Sequence, residues 1–121
     1  MCQFSIILSL LLLLAPAATT AQTYHAGDIA VINDIIANNG LDWTEADPAD
    51  GSYVPADWSS VVVWNTATPR RITRLDIVGK NLTGVLDVTG LTSLETLWCF
   101  ANNLTTLDVS NCTALEELRC S

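Results

Sequence analysis

The chain has 121 residues, half of them hydrophobic, so length and composition favour one modest folded domain over a disordered acidic tail. Thirteen Asp and Glu residues against five Lys and Arg give a formal net charge of −8, which argues against sequence-independent nucleic-acid binding because such binding needs clustered basic side chains. The single histidine, His25, leaves little material for a hydrolase triad or a zinc cluster.

The N-terminal segment predicts a secretory signal peptide. Residues 4–18 are almost wholly apolar, and the small residues Ala17, Ala18 and Ala21 precede polar Gln22. This order is typical of a signal, and the stretch is shorter than the roughly 20 apolar residues of a membrane-spanning helix. We therefore assign residues 1–21 to the signal, with cleavage after Ala21 or after Ala18, against the alternative of a retained anchor. The mature chain would be secreted or held at the cell surface, and Cys2 would leave with the signal.

Residues 22–71 predict an N-terminal capping region with one helix at about 28–39 and one strand at about 61–64. Asp28 is the predicted N-cap, and Asn38-Asn39-Gly40 is the predicted stop. His25 precedes every element predicted in this way. The spacing of four isoleucines predicts one apolar stripe on the helix, made of Ile29, Ile32, Ile35 and Ile36.

An acidic loop follows the helix. Its carboxylates lack the alternate-residue order of a calcium-binding loop, so we interpret them as a solvated face. They are Asp42, Glu45, Asp47, Asp50 and Asp57.

From residue 72 the sequence repeats. Leu94, Leu97 and Cys99 recur 21 residues later as Leu115, Leu118 and Cys120, and a cycle of 22 residues that begins at Ile72 precedes them. Within a cycle, Leu104, Leu107 and Val109 repeat the same spacing. Residues 72–121 therefore predict two full cycles and a truncated third.

These residues resemble the leucine-rich repeat family, whose pattern is LxxLxLxxNxL, because Leu94, Leu97, Cys99, Asn102 and Leu104 occupy every position of it. The cycle looks like the 21-residue, internally doubled subclass. The preceding region is similar to plant-type N-terminal caps, although it lacks their cysteine pair. The resemblance implies a leucine-rich repeat solenoid of the α/β class, with mostly short parallel strands, preceded by a helix-plus-strand N-terminal cap.

Alternation along each predicted strand separates inward from outward side chains. The predicted buried ladder is Leu75, Leu94, Leu97, Cys99, Asn102, Leu104, Leu107, Val109, Leu115, Leu118 and Cys120. Asn102 is expected to hydrogen-bond backbone groups at a turn, where the first cycle has Lys80. Cys99 and Cys120 are expected to be buried thiols, whereas Cys112, at a turn, is the one expected to react or pair.

The outward positions form the candidate binding surface, because the resemblance implies recognition on the exposed strand face. Trp98 and Phe100 are predicted to form an exposed aromatic pair that anchors a partner, flanked by Arg119 and Asp76. The alternative is that these side chains only cover one another or lie beneath missing coils. The complete candidate set is Arg74, Asp76, Thr96, Trp98, Phe100 and Arg119.

Two further sets of residues are candidate sites. Asp87 and Asp108 fall at equivalent outward positions, where calcium is possible but hydroxyl or amide donors and water are preferred, so no metal site is predicted. Three sequons make Asn81, Asn103 and Asn111 possible glycosylation sites.

The predicted function is that of a secreted or cell-surface leucine-rich repeat module that binds a protein or another macromolecule through its strand face. We expect no enzyme activity, no cofactor, no nucleic-acid partner, and membrane attachment only through the signal sequence or a missing downstream anchor. One alternative is a structural or adhesive surface element that self-associates through its open end. Another is the ligand-binding head of a larger receptor or surface enzyme. The third cycle breaks off at Ser121 without a closing cap, which favours a truncated fragment.

Overall fold

The computed structural model describes residues 23–120, so the predicted signal peptide, Cys2 and Ser121 lie outside the described residues. The elements are helix α1 (Ala26–Asn39), a 3-10 turn (Ala56–Trp58), and strands β1 (Val62–Trp64), β2 (Ile72–Asp76), β3 (Thr83–Asp87), β4 (Thr96–Trp98), β5 (Asn103–Asp108) and β6 (Glu117–Arg119). Strand β1 lies within the predicted range, and no helix of residues 23–120 is long and apolar enough to cross a membrane.

The strands form two sheets. The four-stranded sheet has the order β1-β2-β4-β6, with β1 antiparallel to β2 and the other pairs parallel. Leu75 pairs with Leu97 and Leu97 with Leu118, offsets of 22 and 21 residues that match the period of the sequence. The two-stranded sheet pairs β3 with β5 in parallel. We call residues 72–93 the first coil, 94–114 the second and 115–120 the third.

Helix α1 begins two residues earlier than predicted, and Asp28 is not its N-cap. The cap is His25, whose Nδ1 accepts hydrogen bonds from the backbone N–H groups of Gly27 at 3.1 Å and Asp28 at 3.3 Å. An imidazole nitrogen thus satisfies the donors that usually receive a Ser, Thr, Asp or Asn oxygen. The predicted stop is confirmed, because Gly40 adopts the left-handed conformation and its N–H bonds to the carbonyl of Ile36.

Asp28 joins the helix to the first strand of the repeats. Its carboxylate is fully buried and accepts hydrogen bonds from Arg71 Nη2 at 3.0 Å, Arg71 Nε at 3.1 Å and the backbone N–H of Ile72 at 2.8 Å. A buried carboxylate is tolerated only when it is paired and hydrogen-bonded, and these contacts meet that requirement. Asp28 therefore fastens α1 to β2.

The core lies between α1 and the inner faces of the strands. The predicted isoleucine stripe is confirmed, since all four side chains are buried, and Trp58 is buried beside it with its Nε1 donating to the Thr44 carbonyl at 2.8 Å. Each such apolar side chain contributes about 1.5–3 kcal/mol on burial. The acidic loop is exposed, as predicted.

The predicted ladder is buried only in its first part. Leu75, Leu94, Leu97 and Cys99 are at most 2% exposed. Four later members are half-buried, namely Leu104, Leu107, Val109 and Leu115. Leu118 is 40% exposed and Cys120 is exposed, so the prediction that these two are buried is wrong. The reason is that a coil's inward row is covered by the next coil, and no described residue stacks on the third.

Candidate recognition surface

Strands β2, β4 and β6 present one outward surface, which we call the strand face and define as Arg74, Asp76, Thr96, Trp98, Glu117 and Arg119. In one row Arg74, Thr96 and Glu117 are aligned by strand pairing. In the other row Asp76, Trp98 and Arg119 are aligned in the same way. The row between them is leucine in all three strands and points inward. The strand face is therefore the side on which the coils differ.

Trp98 is held between two guanidinium groups. The Cζ atom of Arg74 lies 4.1 Å from the indole ring centroid, and that of Arg119 lies 4.8 Å from it. Because β4 runs between β2 and β6, the two cations approach from opposite sides. Arg119 flanks Trp98 as predicted. On the other side Asp76 is the aligned neighbour of Trp98, as predicted, and Arg74 from the same strand is the side chain that lies over the ring.

Glu117 completes the cluster. Its Oε2 accepts hydrogen bonds from Trp98 Nε1 at 3.0 Å and from Arg119 Nε at 2.7 Å. These donors, the indole first, hold the pKa of Glu117 below its usual value, so the carboxylate is charged at neutral pH. Asp76 lies close to Arg74, with 3.9 Å between Oδ2 and Nη2. Glu117 was not among the candidate residues, and the sequence gave no sign that it would hold the indole.

The predicted exposed aromatic pair is wrong, because Trp98 and Phe100 are each half-buried, as is Thr96. The guanidinium groups cover Trp98. Phe100 instead lines a shallow pocket of about 530 Å³ with Leu118, Arg119 and Cys120. The strand face thus offers cations fixed by an aromatic ring.

The turn after β4 is built by Asn102, as predicted. Its Nδ2 donates to the carbonyls of Cys99 and Ile77, both at 2.9 Å, and its Oδ1 accepts from the N–H groups of Lys80 at 2.9 Å and Leu82 at 3.0 Å. The amide therefore also closes the turn of the preceding coil. This contact explains how the first coil tolerates Lys80 at the equivalent position.

Asp87 and Asp108 are adjacent across the two-stranded sheet, as their spacing predicted. Asp87 Oδ1 accepts from the hydroxyl of Thr89 at 2.7 Å and from its N–H at 3.0 Å, and these bonds lower the pKa of Asp87. Asp108 Oδ1 accepts from the N–H of Ser110 at 3.0 Å. Within residues 23–120 no three Asp, Glu, His or Cys side chains come together in a group that could hold a metal ion.

The cysteines differ from prediction in which thiol is accessible. Cys112 is 6% exposed, its Sγ donates to the Val88 carbonyl at 3.3 Å, and burial raises its pKa, so its surroundings disfavour the predicted reaction or pairing. Burial raises the pKa of Cys99 to about 11. Cys120 is exposed, and all three are free thiols.

The three sequon asparagines are exposed. Asn81 precedes β3, Asn103 is the first residue of β5, and Asn111 follows β5. Their accessibility is compatible with the predicted modification. The strand face, in contrast, carries ion pairs, hydrogen bonds and cation–π contacts among its own side chains. Comparison of the chain with protein-family models, with curated proteins and with solved structures found no match.

Proposed function

We propose that the chain is a secreted or cell-surface leucine-rich repeat module that binds a protein through the strand face. The observation that carries the proposal is the clamping of Trp98 between Arg74 and Arg119 on a surface whose side chains change from coil to coil. The parallel pairing of β2, β4 and β6 at the sequence period supports the choice of family.

The rigidity of this cluster supports recognition. Side chains already held by ring stacking and hydrogen bonds lose little conformational entropy when a partner binds. Arg74 and Arg119 remain 38% and 59% exposed, so their N–H groups can donate to carboxylates or carbonyls of a partner.

The covered ring favours a protein partner over a carbohydrate. A sugar stacks on an open aromatic face, whereas the Trp98 ring already has guanidinium groups from both neighbouring strands within 4.1 Å and 4.8 Å of its centroid. A protein surface can instead pair with the guanidinium N–H groups and exclude water from the cluster, and Arg and Trp are the residue types that dominate such interfaces.

The test uses the mature chain and a panel of purified extracellular proteins. Trp98→Ala should abolish binding of the proteins that the wild type binds. Arg119→Met, which keeps an apolar stem without the charge, should abolish it as well. Tyr53→Ala is the matched control, since Tyr53 is 59% exposed but lies outside the strand face. Circular dichroism verifies that the wild type and the three variants are folded. If all four bind the same set of proteins, the assignment of the strand face is refuted.

Self-association is a second candidate, favoured by the apolar surface at the third coil. Leu118 is 40% exposed and borders the shallow pocket beside Phe100. Sedimentation velocity at rising concentration should then show a dimer that Leu118→Asp removes and Tyr53→Asp does not. A monomer at all concentrations would exclude this candidate and leave the strand-face proposal intact.

A further inference from the structure

A cavity of about 260 Å³ separates α1 from β3, which we call the helix–strand cavity. Ile35 and Leu86, each at most 3% exposed, form its apolar floor. Val31 and Val85 also line it, and Val85 is 57% exposed. At one end Gly90 approaches the helix so closely that a Cβ there would lie 3.1 Å from Val31 Cγ2.

Charge is distributed asymmetrically around this cavity. Asp34 contributes a carboxylate from the helix and Asp87 another from the strand, while no Lys, Arg or His among the described residues lines the cavity. Oδ1 of Asp87 accepts hydrogen bonds from the N–H and the hydroxyl of Thr89. In the part of the chain that the structure describes, neither Oδ2 of Asp87 nor the carboxylate of Asp34 has a hydrogen-bond donor or a cation as a partner.

The strand edge at the cavity is also unoccupied. Among residues 23–120, β3 pairs with β5 on one side only, and a hydrogen bond from the Thr83 N–H to Asn39 Oδ1 at 3.0 Å links β3 to α1. Val85, Leu86 and Asp87 of β3 line the cavity. An apolar floor beneath two separate carboxylates suits a ligand with an apolar stem and a cationic tip.

We propose that the helix–strand cavity binds the lysine side chain of a partner protein, with the methylene stem against Val31 and Val85 and the ammonium between Asp34 and Asp87. The inference goes beyond the proposed function, because the cavity lies between α1 and the two-stranded sheet. Lysine fits better than arginine, because its compact ammonium can pair with carboxylates on two opposite sides, whereas a guanidinium forms its best pair with one carboxylate in its plane.

The probe is the peptide acetyl-Gly-Lys-Gly-amide, titrated into the ¹⁵N-labelled mature chain at low salt. Backbone amide signals around the cavity should shift, with a dissociation constant on the order of millimolar for so small a ligand. Matched peptides with norleucine or N-ε-acetyl-lysine in place of lysine should cause no shifts there. Equal shifts with norleucine would overturn the proposal, because the carboxylates would then play no part.

The variants separate the cavity from the general negative charge of the protein. Asp34→Asn and Asp87→Asn should each weaken binding about fivefold, the upper range for a partly exposed ion pair, and the amide introduced by Asp87→Asn keeps an oxygen for Thr89. Asp108→Asn is the matched control, since it makes the same charge change at the paired position of β5 but does not line the cavity. Equal weakening by all three would indicate diffuse attraction and overturn the proposal.

A variant at an exposed position covers the case in which an aspartate variant fails to fold. Val85→Lys should place an ammonium at the cavity from within the chain and abolish binding of the lysine peptide, whereas wild-type affinity in this variant would refute the site. Trp98→Ala should leave peptide binding unchanged, so the lysine site and the strand face can fail independently.

Discussion

Both sheets align leucines on their inward side, but their outward surfaces differ. On the strand face the aligned positions carry Asp76, Trp98 and Arg119, different residues in each coil. On the two-stranded sheet the aligned Asp87 and Asp108 are the same residue, and each accepts the N–H two residues further on. The repeated carboxylates therefore bond within their own turns, whereas Trp98 on the strand face makes its contacts with side chains of the neighbouring coils.

The helix is attached to the two sheets in equally different ways. Toward the four-stranded sheet, Asp28 is buried against Arg71 and Ile72. Toward the two-stranded sheet, Asn39 makes one hydrogen bond to Thr83 beside the helix–strand cavity. The first attachment is a buried ion pair, and the second is a single hydrogen bond beside a cavity.

Removing the joint should have the largest effect on stability. Asp28→Ala leaves the buried Ile72 N–H without its acceptor and the Arg71 guanidinium without its charged partner, with only Thr92 and Gly90 still accepting from it. Loss of this ion pair should lower the free energy of unfolding by about 3–5 kcal/mol. Asp34→Ala, an exposed aspartate on the same helix, should change it by less than about 0.5 kcal/mol. Urea unfolding monitored by circular dichroism measures both. Similar values for the two variants would show that the helix is not fastened through Asp28.

The connection between neighbouring coils is the next largest contribution. Asn102→Ala removes hydrogen bonds to the carbonyls of Ile77 and Cys99 and to two N–H groups, and should destabilise the fold by about 2–4 kcal/mol. Lys80→Ala, at the equivalent position of the first coil, should cost less than about 0.5 kcal/mol. The same urea unfolding experiment compares the two variants. A larger loss of stability in Lys80→Ala than in Asn102→Ala would contradict the role given to Asn102 in the turn.

The repeat period carried most of the information that sequence could give. It predicted the inward leucines, the adjacency of Asp87 and Asp108 and the turn at Asn102, because residues one period apart must meet when coils stack. It also misplaced the burial of Leu118 and Cys120, since periodicity marks which way a side chain points and not whether another coil covers it.

The errors at the helix start and in the candidate site arise from partners that are distant in sequence. Asp28 has the residue type of a cap but meets Arg71, 43 positions later, so local preference was overridden by a tertiary contact. Whether Trp98 is open or covered depends on side chains from two other strands, Arg74 and Arg119. The helix–strand cavity has no sequence signature, because it depends on how α1 packs beside β3.

The rate at which each cysteine reacts tests how accessible its thiol is near each sheet. Cys120, after β6 of the four-stranded sheet, is exposed, whereas Cys112 donates to Val88 beneath the two-stranded sheet. With its pKa raised to about 11, Cys99 has roughly one thiolate in a thousand at pH 8. Iodoacetamide at pH 8 should therefore label Cys120 at least about 100-fold faster than Cys99 or Cys112 in the mature native chain. Peptide mass spectrometry identifies the sites, and rapid labelling of Cys112 would show that its turn opens.

The smallest expected effects are changes of carboxyl pKa, and they separate the two surfaces most cleanly. Trp98→Phe removes the indole N–H that chiefly lowers the pKa of Glu117, so that pKa should rise while Asp87 is unaffected. Thr89→Val removes the hydroxyl that chiefly lowers the pKa of Asp87, so the opposite pattern should follow. NMR titration of the side-chain carboxyl carbons measures both groups in each variant.

The sign of the stability change follows from the same pKa values. A carboxyl group whose pKa is lower in the folded than in the unfolded chain stabilises the fold above the unfolded pKa, and this contribution is lost as the pH falls through the folded pKa. Trp98→Phe and Thr89→Val should each make stability less sensitive to acid, through a different carboxylate. If Trp98→Phe left the pKa of Glu117 unchanged, the indole would not be holding that carboxylate, and the strand face would be a less ordered surface than its geometry indicates.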